Sequence, residues 1–80
     1  MAIVDQQLDL TGLKCPMPSL LLRRALKAAQ PGAIIVATAT DALAKVDLPF
    51  TAIQFGAEVL SVQPNDVGVV VTVRVTTDKS

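Results

Sequence analysis

Eighty residues with seven basic and seven acidic side chains carry no net charge, which argues against the broad positive surface that nucleic-acid binding uses to neutralise phosphates. One cysteine and no histidine exclude an internal disulfide and the Cys/His sets that hold zinc, so neither a metal nor an organic cofactor is expected. Half the residues are apolar but only two are aromatic, so the core of what reads as one small domain over residues 1–80 must come from aliphatic packing.

Gln6 to Leu10 puts Leu8 and Leu10 on one side and Asp9 on the other, a short half-buried strand that Thr11-Gly12 breaks. From Pro16 to Gln30, an advance of about 100° per residue gathers Pro18, Leu21, Leu22, Ala25, Leu26 and Ala29 on one stripe. Ser19, Arg23, Lys27 and Gln30 lie opposite, and Pro31-Gly32 stops the helix. Ala33 to Thr40 is apolar on both alternating sets and reads as an interior strand. Asp41 starts a second helical region reaching Phe55, with Leu43, Val46, Phe50 and Ile53 as its expected core stripe. Because Pro49 interrupts it, residues 42 to 47 read as a turn and Asp47 as the N-cap of a helix whose first turn contains Pro49.

After Gly56, the segments Glu58 to Gln63 and Gly68 to Thr76 read as strands of a hairpin joined by Pro64-Asn65-Asp66-Val67. In the last strand Val69, Val71, Val73 and Val75 share a face, while Val70, Thr72, Arg74 and Thr76 share the other. The order β-α-β-α-β-β is α+β, most economically a two-layer sandwich with both helices on the valine face and the other face open. If the first two strands pair in parallel, their crossover is expected to be right-handed. No apolar run approaches the roughly 20 residues that span a bilayer, and Met1 to Gln7 lacks the basic and apolar regions of a signal peptide. A cytoplasmic protein working as a monomer, away from membranes, is expected.

The candidate covalent centre is Cys15, set between Gly12-Leu13-Lys14 and Pro16-Met17-Pro18. Proline is favoured at the first helical position, so Pro16 there makes Cys15 the N-cap. Its thiol would then face unpaired N–H groups and roughly half a positive elementary charge, which favours the thiolate. A lone cysteine is often an inert core residue, but this one follows a glycine turn and opens a Cys-Pro-x-Pro element. Lys14 reads either as a solvated loop residue or as a group that attracts the anion, and Gly12 as the backbone turn itself. Arg23, Arg24 and Lys27 read as a solvated face. Leu20 falls on that face with Met17 at its edge, an apolar pair beside the thiol that, with Arg23, Arg24 and Lys27 flanking it and Lys45 on the second helical region, offers a candidate docking patch for a partner protein. Absent histidine excludes a Cys/His nucleophilic pair, and four isolated glycines make no phosphate loop.

The segment Asp9-Leu10-Thr11-Gly12-Leu13-Lys14-Cys15-Pro16-Met17-Pro18 closely resembles the N-terminal signature of the TusA-like (SirA-like) sulfur carriers. The similarity runs on through the leucine-rich helix, Pro31-Gly32, Thr40-Asp41, Asp47-Leu48-Pro49 and the final hairpin. It implies a mixed four-stranded sheet, a persulfide carried on Cys15, and Pro16 and Pro18 shaping its presentation. It also implies a donor protein, a cysteine desulfurase or a rhodanese-like protein, and a downstream acceptor protein. Final products within that scope include thiolated tRNA, cofactor precursors and oxidised sulfur compounds. The chain departs from the family twice: Val46 precedes Asp47 where a basic residue is common, with Lys45 one position earlier, and Met17 replaces a common glutamate. Two other functions fit the same residues: a non-enzymatic interaction or redox-regulatory module using this surface, and selenium handling by similar chemistry.

Overall fold

Strand alternation and two helical stripes build a sheet with one covered face. The computed structural model describes residues 4–14 and 16–76. Its elements are β1 (Gln6–Leu10), α1 (Met17–Ala28), β2 (Ile34–Ala39), α2 (Ala44–Gln54), β3 (Ala57–Pro64) and β4 (Val69–Val75). The sheet order is β1-β2-β4-β3. β1 and β2 are parallel, while β4 runs antiparallel to both β2 and β3, so the sheet is mixed. Each helix is therefore a crossover between parallel strands, and β4 slots between the pair that α2 connects.

The register sets Ile35 beside Val73, Ala37 beside Val71 and Ala39 beside Val69, and all six are buried. Against them pack Leu22, Ala25 and Leu26 of α1 and Ala44, Leu48 and Ala52 of α2. The alternate residues Val36, Thr38, Val70 and Thr72 are half-buried on the open face. There Arg74 pairs with Glu58, each about half exposed, so the pair adds little stability. The two-layer α+β arrangement is the one the element order implies.

Two local expectations change. Helix α1 starts at Met17 with Pro16 as its N-cap, one residue later than a Cys15 cap requires. Cys15 itself lies outside the described residues. In α2 the N-cap is Leu43 rather than Asp47, and Pro49 sits inside the helix. Backbone bonds from Ala44 to Asp41 and from Val46 and Asp47 to Leu43 close the first turn before Pro49 is reached. The proline then removes one later bond from a helix already nucleated.

The stripe expected to be buried in α2 is instead on the outside: Leu43, Val46, Phe50 and Ile53 are 55%, 62%, 62% and 67% exposed. The buried face is Ala44, Leu48, Thr51 and Ala52. Two alanines and one threonine let the helix lie close on the sheet, and Leu48 alone fills the depth.

Candidate functional site

The C-terminal ends of the parallel strands β1, β2 and β3 lie at one end of the sheet, so the loops leaving them gather there. The first is the loop that leads to Cys15. Thr11 donates its N–H to the Asp9 carboxylate at 3.1 Å, and Leu13 donates to the Leu10 carbonyl at 3.2 Å. The Thr11 side chain and then its backbone amide hold the Asp9 carboxyl below the ordinary aspartate range. Gly12 turns through φ +81, which glycine adopts without strain, and donates its N–H to Thr40 Oγ1 at 2.9 Å. That bond ties the first loop to the one entering α2. A cleft of about 280 Å³ runs between them, lined by Gly12, Leu13, Lys14, Thr40, Asp41 and Ala42.

On the other side of Cys15 the chain turns at once. Met17 donates its N–H to the Lys14 carbonyl at 2.8 Å, and Leu20 donates to Pro16 at 3.1 Å. Pro16 and Pro18 have no N–H to give. Among the first three helical positions, Ser19 supplies the amide that is neither missing nor turned back on Lys14. The fan of N–H groups expected at this terminus is thus reduced, and the helix favours an anion here chiefly through its macrodipole.

Lys14, Pro16 and Met17 are exposed and Pro18 is buried, so Pro18 anchors the first turn to the core while its neighbours stay accessible. Met17 and Leu20 are 43% and 41% exposed, in keeping with their place off the core stripe. Arg23, Arg24 and Lys27 are exposed but divide. The Arg23 guanidinium lies 5.5 Å from the centre of the Phe55 ring, on the α2 side, whereas Arg24 lines a cleft with Leu21 and β1. Lys45 is exposed on α2 and lines a second cleft with Asp41, Asn65 and Gly68. Among the described residues, no group of three or more acidic, cysteine or histidine side chains is arranged to hold a metal, and no helix is long and apolar enough to cross a membrane.

The sequence does not reveal the bond that Thr40 accepts from Gly12 or the place of the Phe55 ring beside Arg23. A threonine after a strand is too common to mark, and a ring beside arginine is found only once the helices are placed.

A family model described as Sulfurtransferase TusA matches residues 6–76, from the first residue of β1 to the residue after β4. The chain belongs to the TusA sulfurtransferase family. It is 38% identical over 60 residues to the sulfur carrier protein TusA of Allochromatium vinosum, covering 75% of this chain and 79% of that one. Against the sulfur carrier protein TusA of Pseudomonas aeruginosa the identity is 35% over 60 residues, covering 75% and 76%. The Pseudomonas entomophila protein of the same name is 34% identical over 61 residues, covering 76% of each chain. TusA membership agrees with the element order and mixed sheet described above.

Proposed function

We propose that this chain is a sulfur carrier that holds a sulfane sulfur as a persulfide on Cys15 and relays it from a donor protein to an acceptor protein. The observation that carries this reading is the family match across all six elements, in a chain whose one cysteine stands in the Cys-Pro-x-Pro element. Geometry supports it: described residues on both sides of Cys15 are exposed, and backbone bonds fix the approach from β1 and the departure into α1.

In the loading step the Cys15 thiolate attacks the outer sulfur of a donor persulfide. A new S–S bond forms at Cys15, the donor S–S bond breaks, and the donor departs as a thiolate, with no net oxidation. In the unloading step an acceptor nucleophile takes the outer sulfur and Cys15 leaves as the thiolate. Negative charge is present at Cys15 in both steps, where the α1 dipole and Lys14 favour it. The donor is a cysteine desulfurase or a rhodanese-like protein, and the relay operates in the cytoplasm.

Intact-mass measurement after incubation with a cysteine desulfurase and cysteine tests this. The wild type gains one sulfur atom that a reductant removes, and Cys15→Ser gains none. Equal gain by both proteins contradicts the assignment.

A further inference from the structure

β1 lies at an edge of the sheet, and the pairing of β2 fixes which of its main-chain groups face outward. Val75 donates its N–H to the Ala33 carbonyl at 2.9 Å, so the alternate residues Ile35, Ala37 and Ala39 also turn their main-chain groups to β4. Ile34, Val36 and Thr38 therefore turn theirs to β1. In a parallel pair a residue that bonds across stands opposite one that does not, and the register sets Gln7 opposite Val36 and Asp9 opposite Thr38. The N–H and C=O groups of Gln7 and Asp9 thus point away from the sheet. The other edge is guarded: β3 carries a bulge between Val59 and Ser61 and ends in Pro64. β1 has neither over its five residues, and its one charged side chain, Asp9, accepts from the Thr11 N–H.

Clefts run along both faces of β1. On the helix side, one of about 510 Å³ lies between β1 and α1, walled by Leu8, Leu21, Arg24, Ala25 and Ala28. On the open side, one of about 480 Å³ is lined by Gln7, Asp9, Thr11 and Thr38. The side chains of an added strand alternate between the two faces, so each cleft has a row to receive. We propose that the β1 edge binds an extended segment of a partner protein, added antiparallel as a fifth strand. Its residue opposite Leu8 is apolar and enters the helix-side cleft, while its neighbours exchange main-chain bonds with Gln7 and Asp9 and are polar. A second copy of this chain has no apolar side chain to offer that cleft. On one face of its β1, Leu8 and Leu10 already pack into its own core, and on the other stand Gln7 and Asp9. β1 and α1 flank Cys15 in the chain, so the occupant lies alongside the segments that lead to and from it. The edge is the same whatever Cys15 carries.

A phage-displayed library of random linear heptapeptides is selected against Cys15→Ser, in which no thiol can capture a peptide. Enriched peptides alternate apolar and polar residues, and a synthetic copy of one slows hydrogen exchange at the Gln7 and Asp9 amides about tenfold or more at saturation. Gln7→Pro removes an outward N–H and spares the β2 ladder, so it stays folded by circular dichroism and binds the peptide about tenfold more weakly. Ala28→Arg, which fills the helix-side cleft from an exposed position, weakens binding likewise. The absence of any enriched peptide, a bound peptide that leaves both amides unprotected, or unchanged binding by either folded variant overturns the edge. So does a wild-type dimer in sedimentation that Gln7→Pro dissociates, which assigns β1 to self-pairing. None of these outcomes bears on persulfide formation at Cys15, which the serine variant cannot carry.

Discussion

Replacing Leu48 and Phe50 separately by alanine distinguishes the observed packing of α2 from the one its hydrophobic spacing suggests. Leu48 is fully buried in the core that the helices and the sheet share, so Leu48→Ala removes its transfer free energy and leaves a cavity. That costs about 3 kcal/mol, within the range of buried leucine truncations. A domain of this size has only roughly 4–12 kcal/mol of stability in total, so a large share is lost. The melting temperature should fall by roughly 12–24 °C, at about 4–8 °C per kcal/mol for a domain of this length. Phe50 is 62% exposed and keeps only about a third of its surface covered. Phe50→Ala should therefore cost about 0.5–1 kcal/mol, a few degrees. With no tryptophan or tyrosine in the chain, unfolding is followed by far-ultraviolet circular dichroism with heat and urea. A Phe50→Ala loss equal to or larger than that of Leu48→Ala would refute this placement of α2, and with it the exposed stripe.

Three further outcomes follow from named contacts. A Cβ on Gly68 would overlap the Ala39 carbonyl, so Gly68→Ala should destabilise by about 2 kcal/mol in urea unfolding, as overpacking against backbone does. Thr40→Val deletes the acceptor of the Gly12 N–H; the cost is about 1 kcal/mol, and hydrogen exchange at the Gly12 amide should accelerate more than at β4 amides. Asp9 has its folded pKa lowered by Thr11, so its contribution is complete above the unfolded aspartate pKa and fades as pH falls through the lower folded value. Carboxyl NMR titration should place Asp9 below the ordinary aspartate range in the wild type and return it towards that range in Thr11→Ala.

β1, β4 and α1 were legible in the sequence because their residues obey one period each, and β2 because it is a short continuous apolar run bounded by turn residues. Val69, Val71, Val73 and Val75 alternate without exception, and the α1 stripe is separated cleanly from its arginines. Helix α2 was not legible because it is apolar on two faces. Ranking by size selects Leu43, Val46, Phe50 and Ile53, whereas close approach to the sheet selects Ala44, Leu48, Thr51 and Ala52. The helix start near Cys15 was misplaced by one residue because two prolines compete for the first turn, and Pro18, not Pro16, lies within it.

Cyanide removes the outer sulfur of a persulfide as thiocyanate, and this tests the central claim most directly. The chain is loaded by a cysteine desulfurase and cysteine, separated from both, and treated with cyanide, with Cys15→Ser carried in parallel. A sulfur carrier acting through Cys15 releases thiocyanate approaching one equivalent per chain, and the serine variant releases none. Thiocyanate from both proteins alike, or from neither despite an active desulfurase, would contradict the account.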